Sequence, residues 1–238
     1  MRKFIFTFGS AIAFGGFVFA ASQATAPTVP QSSAVLRGKI ILEGQPPVPR
    51  AINMRADPAC QNFSATVDDI RVSDSGLENV IVSVSSGVEG SFPPPPAIVI
   101  LDQRDCVFYP RVLTVQVGQR FLIQNNNRTA QNVHAWSQVN RPFNVSLALA
   151  GVQVEKSFDK PEAPFPIRCD VHSWEVSFVA VFDHPFHTIS RAGGAYELRL
   201  PPGEYEITAW HERLGTLQQT VRVGAADNPP LNFTFKQP

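Results

Sequence analysis

The 238-residue chain has little charge, and what it has cancels: twenty Lys and Arg stand against twenty Asp and Glu. No basic stripe or charge run breaks that balance, which argues against nucleic acid or an anionic membrane surface as partner. No amphipathic helix of any length can be traced. The sequence also lacks a nucleophile elbow, a zinc-protease helix, a phosphate-binding glycine loop and a dinucleotide fingerprint, so it is read as non-catalytic. Beyond the first two dozen residues there is no second long apolar run, and no membrane attachment is expected outside that segment.

What is present begins with a basic Met1-Arg2-Lys3, an apolar run over residues 4–21, and small residues at Ser22-Gln23-Ala24. This is the pattern of a cleaved secretory signal over 1–24, with an uncleaved anchor as the rival, and it implies a periplasmic or secreted protein. Removing that segment takes away Arg2 and Lys3, leaving 18 basic against 20 acidic residues, or a charge of −2. Residues 25–34 read as a disordered leader. Twenty-one prolines and fifteen glycines, spread among short β-branched and aromatic runs, then predict an all-β chain with many turns. Residues 36–42 and 77–84 read as strands, and 57–60 as a loop. The SFPPPP run at 91–96 cannot join a sheet interior, because proline lacks the ladder donor, and it marks a boundary. From Ala97 short strands follow closely: 98–101, 107–109, 113–117, 119–124 and 132–136.

The stretch with chemistry in it is 168–182, RCDVHSWEVSFVAVF. A thiolate and an imidazole three residues apart on a tight interstrand loop can reach one metal ion together. With FYPRVLTVQVGQRFLIQNNNRTAQNVHAW upstream, the segment 97–186 resembles the cupredoxin family, with C-x-x-H in the ligand loop. The resemblance implies a Greek-key sandwich holding one copper ion, with zinc as the other metal suited to such donors. Carried over by position, Cys169 and His172 match. Gln131 stands where the family has its first His, and Glu175 where a close relative has an axial Met. His134 is the other candidate for the missing imidazole, although strand alternation puts it on the opposite face from Gln131. Three readings stay open: a retained site of Cys169, His172 and Glu175 with Gln131 or His134; a degenerate site that kept the fold and lost the metal; and a disulfide-bonded Cys169.

In an exported protein with three cysteines one is left over. Cys60 and Cys106 lie outside the ligand loop and are paired, which leaves Cys169 free.

The tail contains GAYELRLPPGEYEITAWH, read as a hairpin across Pro201-Pro202-Gly203. It resembles the carboxypeptidase-regulatory-like, transthyretin-like sandwich module, also seen beside rhamnogalacturonan lyases. With too few strands of its own, 187–238 is expected to join 35–90 in one transthyretin-like or fibronectin-III-like sandwich, with the cupredoxin-like segment inserted; separately placed small sheets are the alternative. Trp136, Trp174 and Trp210 are candidates for a ligand-stacking platform, although aromatics in sandwiches are usually core. Two functions follow: a metal-binding protein with a redox or envelope-protein partner, or a metal-free module binding carbohydrate or protein.

Overall fold

A computed structural model describes residues 33–67, 69–226 and 228–237. The expected signal segment 1–24 and most of the leader lie outside the described residues, among which no helix is long and apolar enough to cross a membrane. The described chain is all-β, with a single 3-10 turn at Ala192–Gly194.

Strands from both ends of the chain share one core. Ala34–Glu43 pairs along its first half with Ala195–Leu200, antiparallel, and along its second half with Phe233–Lys236, parallel. Facing it is a sheet ordered His187–Ile189, Ile81–Ser86, Gly203–His211, Gly215–Val223. Period-2 burial turns Leu36, Ile40, Val82, Val84, Leu198, Ile207, Phe233 and Phe235 inward between the two sheets.

Two expectations fail here, for physical reasons. The 77–84 run is not one strand: Gly76–Leu77 belongs to the first sheet and Ile81–Ser86 to the second. Asn79, at φ 61°, turns the chain between them, a left-handed conformation that asparagine tolerates better than most residues. Ala195–Leu200 and Gly203–His211 do not form a hairpin either; they lie in different sheets. Prolines 201 and 202 offer no N–H for a ladder, and each strand finds its partners elsewhere. The real hairpin joins Gly203–His211 to Gly215–Val223.

Residues 99–182 form a second sandwich. One sheet runs Gln153–Lys156, Phe121–Asn125, Val99–Arg104, Val107–Tyr109; the other runs Phe143–Leu147, Gln131–Ala135, Glu162–Arg168, Val176–Phe182, Val112–Gln116. Each sheet contains one parallel pair (Phe121–Asn125 on Val99–Arg104, Val112–Gln116 on Val176–Phe182) and is otherwise antiparallel. Leu101, Val115, Phe121, Ile123, Val133, Phe158, Ile167 and Val179 fill the space between. The sandwiches meet at Ile81, Val112 and Ala180, with Trp210 against Phe178 and the Arg111 guanidinium held by both oxygens of Glu212 at 2.6 Å. A disulfide joins Cys60, in the connection after the first strand, to Cys106 in the 104–107 turn, the pairing expected from the sequence. Cys169 is free and buried, so the reading that placed it in a disulfide falls.

Candidate metal centre

Four strands of the second sandwich deliver polar side chains to one end of an apolar core. Gln103 lies near the end of Val99–Arg104, and Gln131 and Asn132 open Gln131–Ala135. Cys169 follows Glu162–Arg168 directly, and Glu175 immediately precedes Val176–Phe182. The loop between them closes on itself: Cys169 N donates to Glu175 O at 3.2 Å and Glu175 N to His172 O at 2.9 Å. That double closure turns Cys169, His172 and Glu175 inward together. Cys169 is 2% exposed, and His172, Glu175 and Gln131 are 1% exposed.

Distances within the cluster are short. His172 Nδ1 lies 2.8 Å from Gln131 Oε1, 3.3 Å from Glu175 Oε1 and 3.8 Å from Cys169 Sγ. The Cys169 thiol has two acceptors within reach of its one proton, Gln131 Oε1 at 3.1 Å and Asn132 Oδ1 at 3.3 Å. Gln131 Nε2 donates to Glu175 Oε1 and Gln103 Nε2 to Glu175 Oε2, each at 3.0 Å. Across the ring, His172 Nε2 lies 2.9 Å from Asp57 Oδ2. Both imidazole nitrogens therefore face acceptors. In keeping with this, the hydrogen bond to Glu175 raises the His172 pKa above its ordinary value, against burial and with help from Asp57. Burial pushes the Cys169 thiol up, opposed by contacts from Asn132 and His172 and reinforced by the Glu175 charge. Among the described residues Gln103 Oε1 is a buried acceptor with no partner, a cost of about 1–3 kcal/mol.

Do these donors fit a metal? Around a tetrahedral ion, with sulfur at ~2.3 Å and nitrogen or oxygen at ~2.0–2.2 Å, donor atoms sit about 3.3–3.6 Å apart. The 3.3 Å from Nδ1 to Glu175 and the 3.8 Å from Nδ1 to Sγ are close to those edges, and the three donors lie within 4.8 Å of one another. They fit. Gln131 Oε1, 2.8 Å from Nδ1, is at hydrogen-bond rather than tetrahedral spacing and would have to move outward to become a fourth donor. Asp57, Cys60 and His172 form a second close group. There the Cys60 sulfur is already bonded to Cys106 and supplies no thiolate.

The remaining candidates lie elsewhere. His134 sits on the opposite face of its strand, as strand alternation requires; it pairs with Asp170 at 3.2 Å and stacks on Trp136 at 4.7 Å. Burial would raise the Asp170 carboxyl, but bonds from His134, Asn144 and Asn132 outweigh it and hold the group below its ordinary value. The three tryptophans have separate neighbours. Trp136 is half exposed beside His134; Trp174 bonds Cys106 O and leans on His172; Trp210 packs on Phe178 and lines a 540 Å³ cleft between the sandwiches. Gln103, Asn132 and Asp57 are not singled out by sequence spacing. Asn132 alone carries a signal, as part of the Asn-Val after position 131.

No family model matches the chain, and no curated protein does. Among solved structures it is similar to a copper-containing nitrite reductase from Thermus scotoductus SA-01, at 20% identity over 43% of this chain and TM-score 0.34. The chain spans a quarter of that protein's length. A purple cupredoxin from Nitrosopumilus maritimus is 20% identical over 35% of this chain and 98% of its own, at TM-score 0.30. A methionine-to-alanine mutant of amicyanin in its Cu(I) form is 17% identical over 42% of this chain and 97% of its own, at TM-score 0.32.

Proposed function

We propose that this chain binds one copper ion through Cys169 Sγ, His172 Nδ1 and a Glu175 carboxylate oxygen, with Gln131 Oε1 as a weaker fourth donor, and serves electron transfer or metal handling outside the cytoplasm. The observation that carries this is the convergence of a free thiol, an imidazole nitrogen and a carboxylate, all buried and within 4.8 Å of one another, with Nδ1 3.3 Å from the carboxylate and 3.8 Å from the sulfur. A bound copper would supply a redox couple tuned by the thiolate; zinc suits the same donors without redox chemistry. The protein's part is to hold the donors before metal arrives. Gln103 and Gln131 orient Glu175, and Asn132 orients the sulfur and also accepts from Asp170 N at 2.7 Å. A carboxylate in the set favours the oxidised ion more than a thioether does. The Cys60–Cys106 disulfide suits an oxidising compartment, periplasmic or secreted, where a redox or envelope-protein partner would be met. The test is to purify the chain from its native compartment and measure copper and zinc per protein. One equivalent of copper with an intense thiolate-to-copper absorption is expected. Protein without stoichiometric metal, and unable to take up added Cu(II) or Zn(II), would leave a metal-free hydrogen-bond network and end this reading.

A further inference from the structure

The His172 ring is gripped from its far side by a segment outside the second sandwich. Residues 50–67 leave the first sandwich as a strap, closed at its base where Arg50–Ala51 pairs with Thr66–Val67. Successive turns (Asp57 N to Met54 O, Cys60 N to Asp57 O, Phe63 N to Cys60 O) shape its tip. The tip is fastened by the Cys60–Cys106 disulfide, and Met54 and both sulfurs pack with Trp174, whose Nε1 donates to Cys106 O at 2.8 Å. Asp57 stands on this tip. Its Oδ1 accepts from Ala59 N at 2.7 Å, and its Oδ2 accepts from Thr129 Oγ1 at 2.7 Å and His172 Nε2 at 2.9 Å.

Resting on the metal-binding reading above, we propose that Asp57 is a positioning residue of the metal centre. By holding Nε2–H it fixes the ring so that Nδ1, and not Nε2, is presented to Cys169, Glu175 and the metal. An imidazole can offer either nitrogen, and the bond made by one decides which the other presents. Asp57 is itself fixed by Thr129 and Ala59, so the carboxylate does not follow a turning ring. The Cys60 sulfur lies 3.9 Å from Nε2 and fills the rest of that edge. Together they leave the ring 1% exposed, so the strap also keeps an external molecule from touching His172.

The test compares the full chain with Asp57→Ala, Asp57→Glu and Thr129→Val. Competition with a chelator reads Cu(II) and Zn(II) affinity, the thiolate-to-copper band reads site geometry, and nitrogen-resolved imidazole NMR of the metal-free protein reads the Nε2–H proton. Asp57→Ala should weaken both metals about 10–100-fold, shift the band, and lose the protected Nε2–H signal. Asp57→Glu should recover part of each. Should Asp57→Ala fail to fold, Thr129→Val, which frees the carboxylate without removing it, is expected to show the same changes in smaller degree. Affinity close to that of the parent, with band and Nε2–H signal unchanged, would overturn the proposal. If the parent takes up no metal at all, the metal reading falls, while the Nε2–H signal still decides whether Asp57 holds the ring.

Discussion

Cys169 has a double role: it is part of the buried core cluster of the second sandwich and also a free thiol among polar partners. Serine at this position nearly keeps the volume and can donate to Gln131 or Asn132 as the thiol does. Cys169→Ser should therefore leave far-UV circular dichroism unchanged while abolishing the thiolate-to-copper band and weakening copper binding. A band that survives in Cys169→Ser would place the copper elsewhere. Glu162 offers an independent check of how this sandwich holds a buried carboxylate. Burial would raise its pKa, but bonds from Ser137, Asn140 and the backbone N–H groups of Gln138 and Val139 bring it to about 2 from 4.5. A depressed folded-state pKa gives stability that is complete above the unfolded value and is lost as pH falls through the folded one, here between 4.5 and about 2. Glu162→Gln should cost about 1.5–3 kcal/mol at neutral pH and flatten the acid side of a urea-midpoint-against-pH curve. The Cys-x-x-His spacing was legible at this scale, and so was the outward face of His134. Asp57 was not, because it lies 115 residues from His172 and no local spacing connects them.

Strands were legible where β-branched, aliphatic and aromatic residues run between turn residues, as in Ala34–Glu43, read over 36–42, and Val107–Tyr109. Glu162–Arg168 is hidden in sequence by Pro164 and Pro166, yet it is a strand; a register shift between Glu162 and Phe165 absorbs the first proline. The 77–84 run shows the opposite failure. Its alternation is correct on either side of Asn79, but one left-handed residue sends the two halves to different sheets, and a pattern of burial does not say which sheet is being buried against. The Pro-Pro-Gly turn misled in the same way. Close approach at the 3-10 turn is another feature that periodicity cannot register: a Cβ on Gly76 would collide with the backbone of Gly193 and Gly194. Gly76→Ala should cost about 1–3 kcal/mol, read as a lower urea midpoint; an unchanged midpoint would mean that the turn can move aside.

At the scale of the whole molecule, two sandwiches, one strap and one disulfide act on a single buried cluster. Four strand ends of one sandwich frame the cluster, the loop between two of them supplies Cys169, His172 and Glu175, and the strap from the other closes the far edge of His172. The disulfide joins residues 46 apart in sequence, and the chain-entropy relation gives about 4 kcal/mol for a loop of that length. Cys60→Ser/Cys106→Ser should lower the unfolding free energy by roughly that amount, and by less if strap contacts persist in the unfolded chain. The all-β class and the pairing of Cys60 with Cys106 could be reasoned from composition and cysteine count, whereas the closure of one sandwich by a segment of the other is a property of topology alone. The most direct measurement of the central claim is X-ray absorption on the copper-loaded chain. The geometry predicts one sulfur at about 2.2–2.3 Å with nitrogen and oxygen neighbours at about 2.0–2.2 Å, and loss of the sulfur shell in Cys169→Ser. Copper surrounded only by nitrogen and oxygen in the parent protein would contradict it.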